Sequence, residues 1–376
     1  MPVTAGYTVL MHIGIDARLL HYRTGGISTY IIGLAEAIAR IDRANRYTFI
    51  ESRKTRRSDA PAGFRHFSTW TPAHHRLERL TLSLELMPLN LDVLHSTDFI
   101  PPLRGARRHV ISVHDLTFLH FPEFLTAESR RYYNAQIYGA SARADHILTI
   151  SQSSKEDIKV LLHVPEDKVT VHIPGIDSSF RRPDAQTLAA VRQRLLLPER
   201  YFLFVGTFEP RKNISGLLDA YKMLLERLLD APPLILAGRP GWLFEETQRY
   251  SETLKLGAHL QWRYAVEQAD LPSLYALADA LILPSFYEGW GLPAAEAMAC
   301  GTVPIVSNRS SLPEVVGPVG LLIDPDDPTT IANALERVLV DDAWRAAQER
   351  AAIERASAFR WEDAARIAIN VYETVQ

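Results

Sequence analysis

The sequence predicts an α/β protein of two halves, each a parallel sheet covered by helices, and three observations carry that prediction. Short apolar runs alternate with segments of helical period through both halves, the pattern that builds strand–helix–strand units. At 376 residues the chain is too long for one ordinary core. Pro174-Gly175-Ile176-Asp177 and the polar stretch to Pro183 form the clearest break. The expected domains are therefore 1–183 and 184–360, with a terminal helix over 361–376.

Hydrophobic residues make up 47% and charged residues 23%, as in soluble globular proteins. A formal net charge of -3 gives no electrostatic footprint for nucleic acid. The single cysteine, Cys300, excludes an internal disulfide and a cysteine-rich zinc site; its place in an apolar stretch suggests a buried small residue. No run approaches the roughly 18 apolar residues of a membrane span, and no basic-then-apolar leader opens the chain, so a cytoplasmic protein is expected.

In the first half, Val9 to Ile15 reads as a strand running into Asp16-Ala17-Arg18 and Thr24-Gly25-Gly26-Ile27-Ser28. A helix with apolar positions Ile31, Leu34, Ala35 and Ile38 follows. Strand, glycine turn and helix make a Rossmann-like opening, but Gly25-Gly26-Ile27-Ser28-Thr29-Tyr30 is not a G-x-G-x-x-G fingerprint, and a plain tight turn fits equally. Tyr47 to Ile50 is a second strand. The basic run Arg53, Lys54, Arg56 and Arg57 after it reads most simply as a solvated loop. Together with Arg76, Arg79, Arg104, Arg107 and Arg108 it also suits peripheral contact with anionic lipid, if these residues share a face.

Asp92 to His95 and His109 to Val113 are further strands, and the second runs straight into His114-Asp115. A histidine at the carboxyl end of a parallel strand is placed where such sheets bind ligands, although a lone histidine is more often structural than catalytic and Asp115 suits a helix cap. Ala127 to Ala142 reads as a helix, Asp145 to Ile150 as a strand, and Ser151 to Ser154 as a helix cap with Ser154 and Asp157 in a capping-box arrangement. Val169 to Ile173 closes the half.

The second half restarts with the strand Tyr201 to Val205, then Gly206-Thr207-Phe208-Glu209-Pro210-Arg211-Lys212-Asn213 and a helix from Ile214. Two adjacent cations before a helix N-terminus suit a diphosphate, whose departure needs its charge stabilised. Pro233 to Ala237 and Leu260 to Tyr264 are strands. Ala280 to Val306 then compresses a strand, a glycine loop, a short helix and another strand into twenty-seven residues. Pro284 ends the strand Leu281-Ile282-Leu283, Gly289 and Gly291 flank Trp290, Leu292-Pro293 opens the helix and Gly301 stops it. Glu288 lies in the loop and Glu296 on the helix; one carboxylate can face a sugar while the other accepts hydrogen bonds from a ribose diol, and the plain alternative is a loop glutamate in solvent and a helix glutamate paired with an arginine. Thr302 to Ser307 and Gly320 to Ile323 complete the sheet, helices run from Pro328, and Phe359-Arg360-Trp361-Glu362 precedes the last one.

Glu288-Gly-Trp-Gly-Leu-Pro-Ala-Ala-Glu296-Ala-Met-Ala-Cys-Gly301 resembles the E-x7-E signature of the retaining family 4 glycosyltransferases, and the resemblance covers nearly the whole chain. It implies the GT-B fold, two Rossmann-like domains facing across a cleft with a C-terminal helix returning to the first. It also implies a nucleotide-sugar donor, a glycan or lipid-linked acceptor and no metal cofactor. Carried onto this chain, the catalytic set is His114, Glu288, Lys212 and Arg211. The donor-binding set adds Gly25, Gly26, Gly206, Thr207, Gly289, Trp290, Gly291, Leu292 and Glu296. Thr207 stands where many relatives have an arginine, so Lys212 transfers directly and Arg211 stands in for the missing cation.

Gly206 to Asn213, Ser310 to Gly317 and His114 to Glu123 look most like bacterial mannosyltransferases of O-antigen or other surface polysaccharide, which makes GDP-mannose the expected donor and a UDP-sugar the alternative. Two other classes compete. A nicotinamide oxidoreductase needs the dinucleotide fingerprint this chain lacks. A non-catalytic sugar-binding protein has no reason to keep the glutamate spacing together with Arg211 and Lys212.

Overall fold

The computed structural model describes residues 10–22, 25–124, 127–264 and 266–376; Val9 and Thr24 of the expected first strand and glycine turn fall outside them. Two compact units emerge. The first holds the chain up to His120, on to Gly175, and again Arg360–Gln376; the second holds Phe121–Phe124 and Ile176–Phe359.

Seven parallel strands form the first unit's sheet: β1 (His12–Asp16), β2 (Arg46–Ser52), β3 (Arg65–Thr69), β4 (Leu91–Ser96), β5 (Ala106–Ser112), β6 (His146–Thr149) and β7 (Val169–Val171). Their order is β3-β2-β1-β4-β5-β6-β7. Six parallel strands form the second: β8 (Phe202–Val205), β9 (Leu234–Ala237), β10 (Leu260–Arg263), β11 (Ala280–Leu283), β12 (Val303–Ser307) and β13 (Leu321–Ile323), in the order β10-β9-β8-β11-β12-β13. Helices connect most of the strands, loops alone joining β2 to β3 and β4 to β5, and the central strands are buried on both faces and read as unbroken apolar runs, as in Phe202–Val205 and Ala280–Leu283. Each sheet reverses direction once, between β1 and β4 and between β8 and β11, and such switch points are where open α/β sheets leave a crevice beyond their carboxyl ends.

Three sequence expectations are corrected. Strand β3 was not foreseen: it is the sheet edge, four of its five residues are not buried, and its polar sequence RHFST carries no apolar run. Gly25 and Gly26 are the first turn of the helix Gly25–Ile41, not a separate turn before it. Arg107 and Arg108 lie within β5 and pair with Asp92 at 3.2 Å and Asp145 at 3.0 Å, so they are not loop residues. The cap of Gln152–Leu162 is Ser151, whose side chain accepts the Ser154 N–H at 3.0 Å.

The final helix, Trp361–Thr374, packs on Gly25–Ile41 within the first unit. Its apolar face, Trp361, Ala364, Ala365, Ala368 and Tyr372, joins Ile31, Leu34 and Ile38 in one core. Gly33 permits the approach: a Cβ there would sit 2.2 Å from the Trp361 ring. Truncating Trp361 to alanine removes a buried indole worth about 3–5 kcal/mol. No helix among the described residues is long and apolar enough to cross a membrane.

Candidate functional site

At the switch point of the second sheet, the loops leaving β8 and β11 are joined by a backbone bond, Phe286 N–H to Arg211 O at 2.9 Å. After β8 the chain passes Gly206 and the exposed Thr207 into a single 3-10 turn, Pro210–Lys212. Asn213 then caps the helix Ile214–Arg227, its side chain accepting the Gly216 N–H at 3.2 Å. Proline at the start and a left-handed asparagine at the end fix this turn, which puts Arg211 and Lys212 side by side.

Glu288, on the loop after β11, lies between the two cations. Its Oε1 accepts from Lys212 Nζ at 2.6 Å and from Ser285 Oγ at 2.6 Å, and its Oε2 accepts from Arg211 at 3.0 Å. Arg211 also donates to Glu209 at 2.5 Å and to the Tyr287 carbonyl at 2.6 Å. Glu288 and Lys212 are only 6% and 8% exposed, so this charge cluster is held largely out of water. Burial alone would raise the Glu288 carboxyl; Lys212 and Arg211 outweigh it and hold the group down at about 2. Lys212 is lowered by burial and by Arg211, with Glu288 opposing both. Glu288 therefore stays ionised at neutral pH between Lys212 and Arg211, and Glu209 is a second carboxylate on Arg211.

The glycine loop is pinned from outside. Ser310 Oγ bonds the Glu288 N–H at 2.9 Å, and Ser311 Oγ donates to the carbonyls of Glu288 at 2.8 Å and Trp290 at 2.9 Å. Trp290 is 3% exposed, packed edge-on against Phe359 with 5.4 Å between ring centres, and its buried indole N–H has no partner among the described residues. Gly289 is buried beside it. Gly291 has φ +101° and precedes the helix Leu292–Ala299, which Pro293 opens; a side chain at that φ is strained, and its Cβ would meet Leu312 at 2.5 Å. Glu296 stands on this helix, half-buried, and accepts the Tyr275 hydroxyl at 2.9 Å. Burial raises its carboxyl to about 7 despite that bond. Cys300 follows, fully buried and free, as expected.

The second unit thus brings Gly206, Thr207, Arg211, Lys212 and the run Glu288–Leu292 to one switch point. His114, Gly25 and Gly26 belong to the first unit. Gly25 and Gly26 are exposed, and His114 follows β5, where its Nε2 donates to the Thr97 carbonyl at 3.0 Å. That acceptor fixes the Nε2–H tautomer, and burial lowers the pKa of the ring.

Sequence reasoning missed the groups behind these residues. Tyr275, Ser285, Ser310 and Ser311 lie in stretches the sequence singles out, but nothing there named them as the hydrogen-bond partners of Glu288, Trp290 and Glu296. Around His114 a buried chain runs from Tyr372 to His95 at 2.7 Å, His95 to Ser112 at 2.8 Å, Ser112 to Tyr30 at 2.7 Å and Tyr30 to His172 at 2.9 Å. Tyr30 also meets His114 edge-on with 4.5 Å between ring centres. Polar residues at the ends of β4 and β5 were the one available signal, and it did not name partners. Among the described residues, no group of three or more His, Cys, Asp or Glu side chains is arranged to hold a metal ion.

Comparison with known proteins agrees with this architecture. Residues 190–357 match the model for glycosyl transferases group 1, and residues 24–180 match the model for glycosyltransferase family 4. The chain is 37% identical over 285 residues to O-antigen chain mannosyltransferase B of Escherichia coli, covering 75% of this chain and 74% of that protein. Among solved structures, sucrose-phosphate synthase from Thermosynechococcus elongatus superposes with a TM-score of 0.79 at 20% identity, over 97% of this chain and 99% of that one. Anabaena HepE, solved in complex with UDP-glucose, gives 0.74 at 17% identity, over 97% and 100%. With two parallel α/β units in the GT-B manner, the chain belongs to the family 4 glycosyltransferases and is a glycosyltransferase.

Proposed function

We propose that this enzyme transfers mannose from GDP-mannose, with retention and without a divalent metal, to a hydroxyl of a glycan or lipid-linked acceptor in surface polysaccharide synthesis. The observation that carries the reading is the pair Arg211 and Lys212, held side by side at a switch point on the shared carboxylate of Glu288. Two cations there suit the diphosphate of a nucleotide sugar and supply the charge that a metal ion would otherwise bring. The donor sugar is taken from the likeness to the mannosyltransferase of Escherichia coli.

In the proposed reaction the acceptor oxygen bonds to the anomeric carbon on the face from which the phosphate leaves. The carbon–phosphate oxygen bond breaks, and the acceptor's proton passes to the departing phosphate. Lys212 and Arg211 stabilise the charge on that phosphate, with Gly206, Thr207 and the Glu288–Leu292 loop around it. Glu288 positions the sugar while keeping the two cations in register, Glu296 accepts from the ribose diol, and His114 stabilises the sugar side.

Peripheral contact with an anionic membrane is part of the same proposal, and one structural feature supports it. The helix Glu78–Leu86 and its flanks expose Leu77, Leu80, Leu84 and Met87 at helical spacing, each more than half exposed. Trp70, 71% exposed, lies beside that helix with Arg53 stacked 3.5 Å from its ring centre, and Arg104 is exposed nearby. Apolar stripe and cations together are the chemistry of an interfacial helix on anionic lipid.

The deciding experiment is a thermal-shift and transfer panel with GDP, UDP, GDP-mannose and UDP-sugars, with and without chelator. Stabilisation by GDP species and mannose transfer that survive chelation are expected. Stabilisation by UDP species alone overturns the donor assignment, and loss of transfer on chelation overturns metal independence.

A further inference from the structure

We infer that a small recess at the switch point of the first sheet receives one hydroxyl of the acceptor sugar, held by Asp98, His74 and Ser96. The inference rests on the glycosyl-transfer reading above and adds the acceptor side to it. Asp16 and Arg18 arrive at the recess from β1, Ser96 and Asp98 from β4, and His74 and Glu78 from the loop and helix that precede β4. Free space amounts to about 10 Å³, room for one water or one hydroxyl group and no more. A sugar ring would lie outside with a single hydroxyl inserted.

The floor is already committed. Arg18, 2% exposed, donates to Asp16 at 2.7 Å and to Glu78 at 2.6 Å, and the second Glu78 oxygen takes the His74 N–H at 2.7 Å. These bonds make a rigid base, not a ligand site. What remains is at the wall and rim. Ser96 Oγ, on a residue 2% exposed that lines the recess, has no partner among the described residues; a buried hydroxyl without a partner costs stability unless something supplies the bond. The Tyr132 hydroxyl is likewise buried without a partner among the described residues.

At the rim, Asp98 Oδ2 faces His74 Nε2 at 2.8 Å, with side chains 17% and 35% exposed. His74 holds a left-handed backbone, φ +60°, uncommon outside glycine and often found at ligand sites. The rings of Tyr132 and Tyr133 stand 6.4 and 6.0 Å from it. Carboxylate, imidazole, hydroxyl and aromatic faces converging on a one-hydroxyl recess suit a neutral sugar. Three carboxyl groups against one guanidinium disfavour a phosphate there. The same helix that carries Glu78 exposes Leu80 and Leu84 on its other side, which brings a lipid-linked sugar to this rim.

The test uses the full-length protein, with Asp98→Asn and Ser96→Ala variants checked for unchanged melting temperature. Saturation-transfer NMR titrations measure binding of a methyl α-mannobioside, and GDP affinity is measured in parallel. We expect the mannobioside to bind the wild type, at least tenfold weaker binding in Asp98→Asn and severalfold weaker in Ser96→Ala, with GDP affinity unchanged in both. Absence of mannobioside binding to the wild type, or equal binding by all three proteins, overturns the inference, and so does a parallel loss of GDP affinity. If the wild type binds mannobioside through Asp98 but no GDP species, the donor assignment fails and this inference stands.

Discussion

Lys212 Nζ sits 2.6 Å from Glu288 Oε1, and the same carboxylate reaches Arg211 at 3.0 Å through its other oxygen. One buried anion therefore ties the two cations together, with Glu209 and the Tyr287 carbonyl holding Arg211 from its other side. Without it Arg211 and Lys212 would repel each other in a poorly hydrated site.

Substitution Glu288→Gln removes the anion but keeps the shape. Leaving buried Lys212 without its carboxylate, and Arg211 with Glu209 alone, costs about 3 kcal/mol at pH 7. Because the folded carboxyl is held at about 2, below its ordinary 4.5, the stability it contributes is present above pH 4.5 and lost as pH falls from there toward 2. Urea unfolding of wild type and variant across pH 7 to 3 checks this. The gap between them should be widest at neutral pH and narrow below pH 4.5.

Lys212→Ala should depress turnover about 10²–10³-fold, the loss typical of removing one donor that stabilises developing charge. Lys212→Arg keeps the charge and should recover part of it. Initial rates with saturating donor decide the matter; near-wild-type turnover in the alanine variant removes Lys212 from the mechanism.

Glu296 carries the opposite shift. Its folded carboxyl is raised to about 7, so it favours the folded state fully below pH 4.5, and that contribution is lost as pH rises through 7. A ribose diol donates to the ionised form, so donor affinity should climb between pH 6 and 8 and level off above. Isothermal titration with GDP-mannose in that window tests it, and Glu296→Gln should flatten the curve.

The exposed stripe on Glu78–Leu86 predicts a surface phenotype. The double substitution Leu80→Glu and Leu84→Glu should abolish flotation with vesicles rich in anionic lipid and leave the melting temperature within about 2 °C, since both side chains are more than half exposed. Equal flotation of variant and wild type removes this face from the membrane reading.

The second-sheet motif was legible because it is local. Pro284, Gly291, Pro293 and Gly301 punctuate a strand, a loop and a helix within twenty residues, and each has its effect within a turn of its own position. β3 was illegible for the complementary reason: an edge strand with exposed side chains needs no apolar pattern, and its pairing with β2 is what makes it a strand. His114 was placed at a strand end from sequence, but not the polar chain behind it.

The sequence by itself determined the alternation of strand and helix, the division into two units, and the nearness of Arg211 to Lys212 and of Glu288 to Glu296. Hydrophobic period and the dihedral limits of glycine and proline act over a few residues, so they can be read without a fold. Tertiary structure decided the strand order, and with it everything that depends on loops meeting at a switch point. Glu288 finds Lys212 across 76 residues, and Tyr372 finds His95 across 277. A buried charge or hydroxyl must be satisfied by whatever the topology brings beside it, and no local rule names that partner.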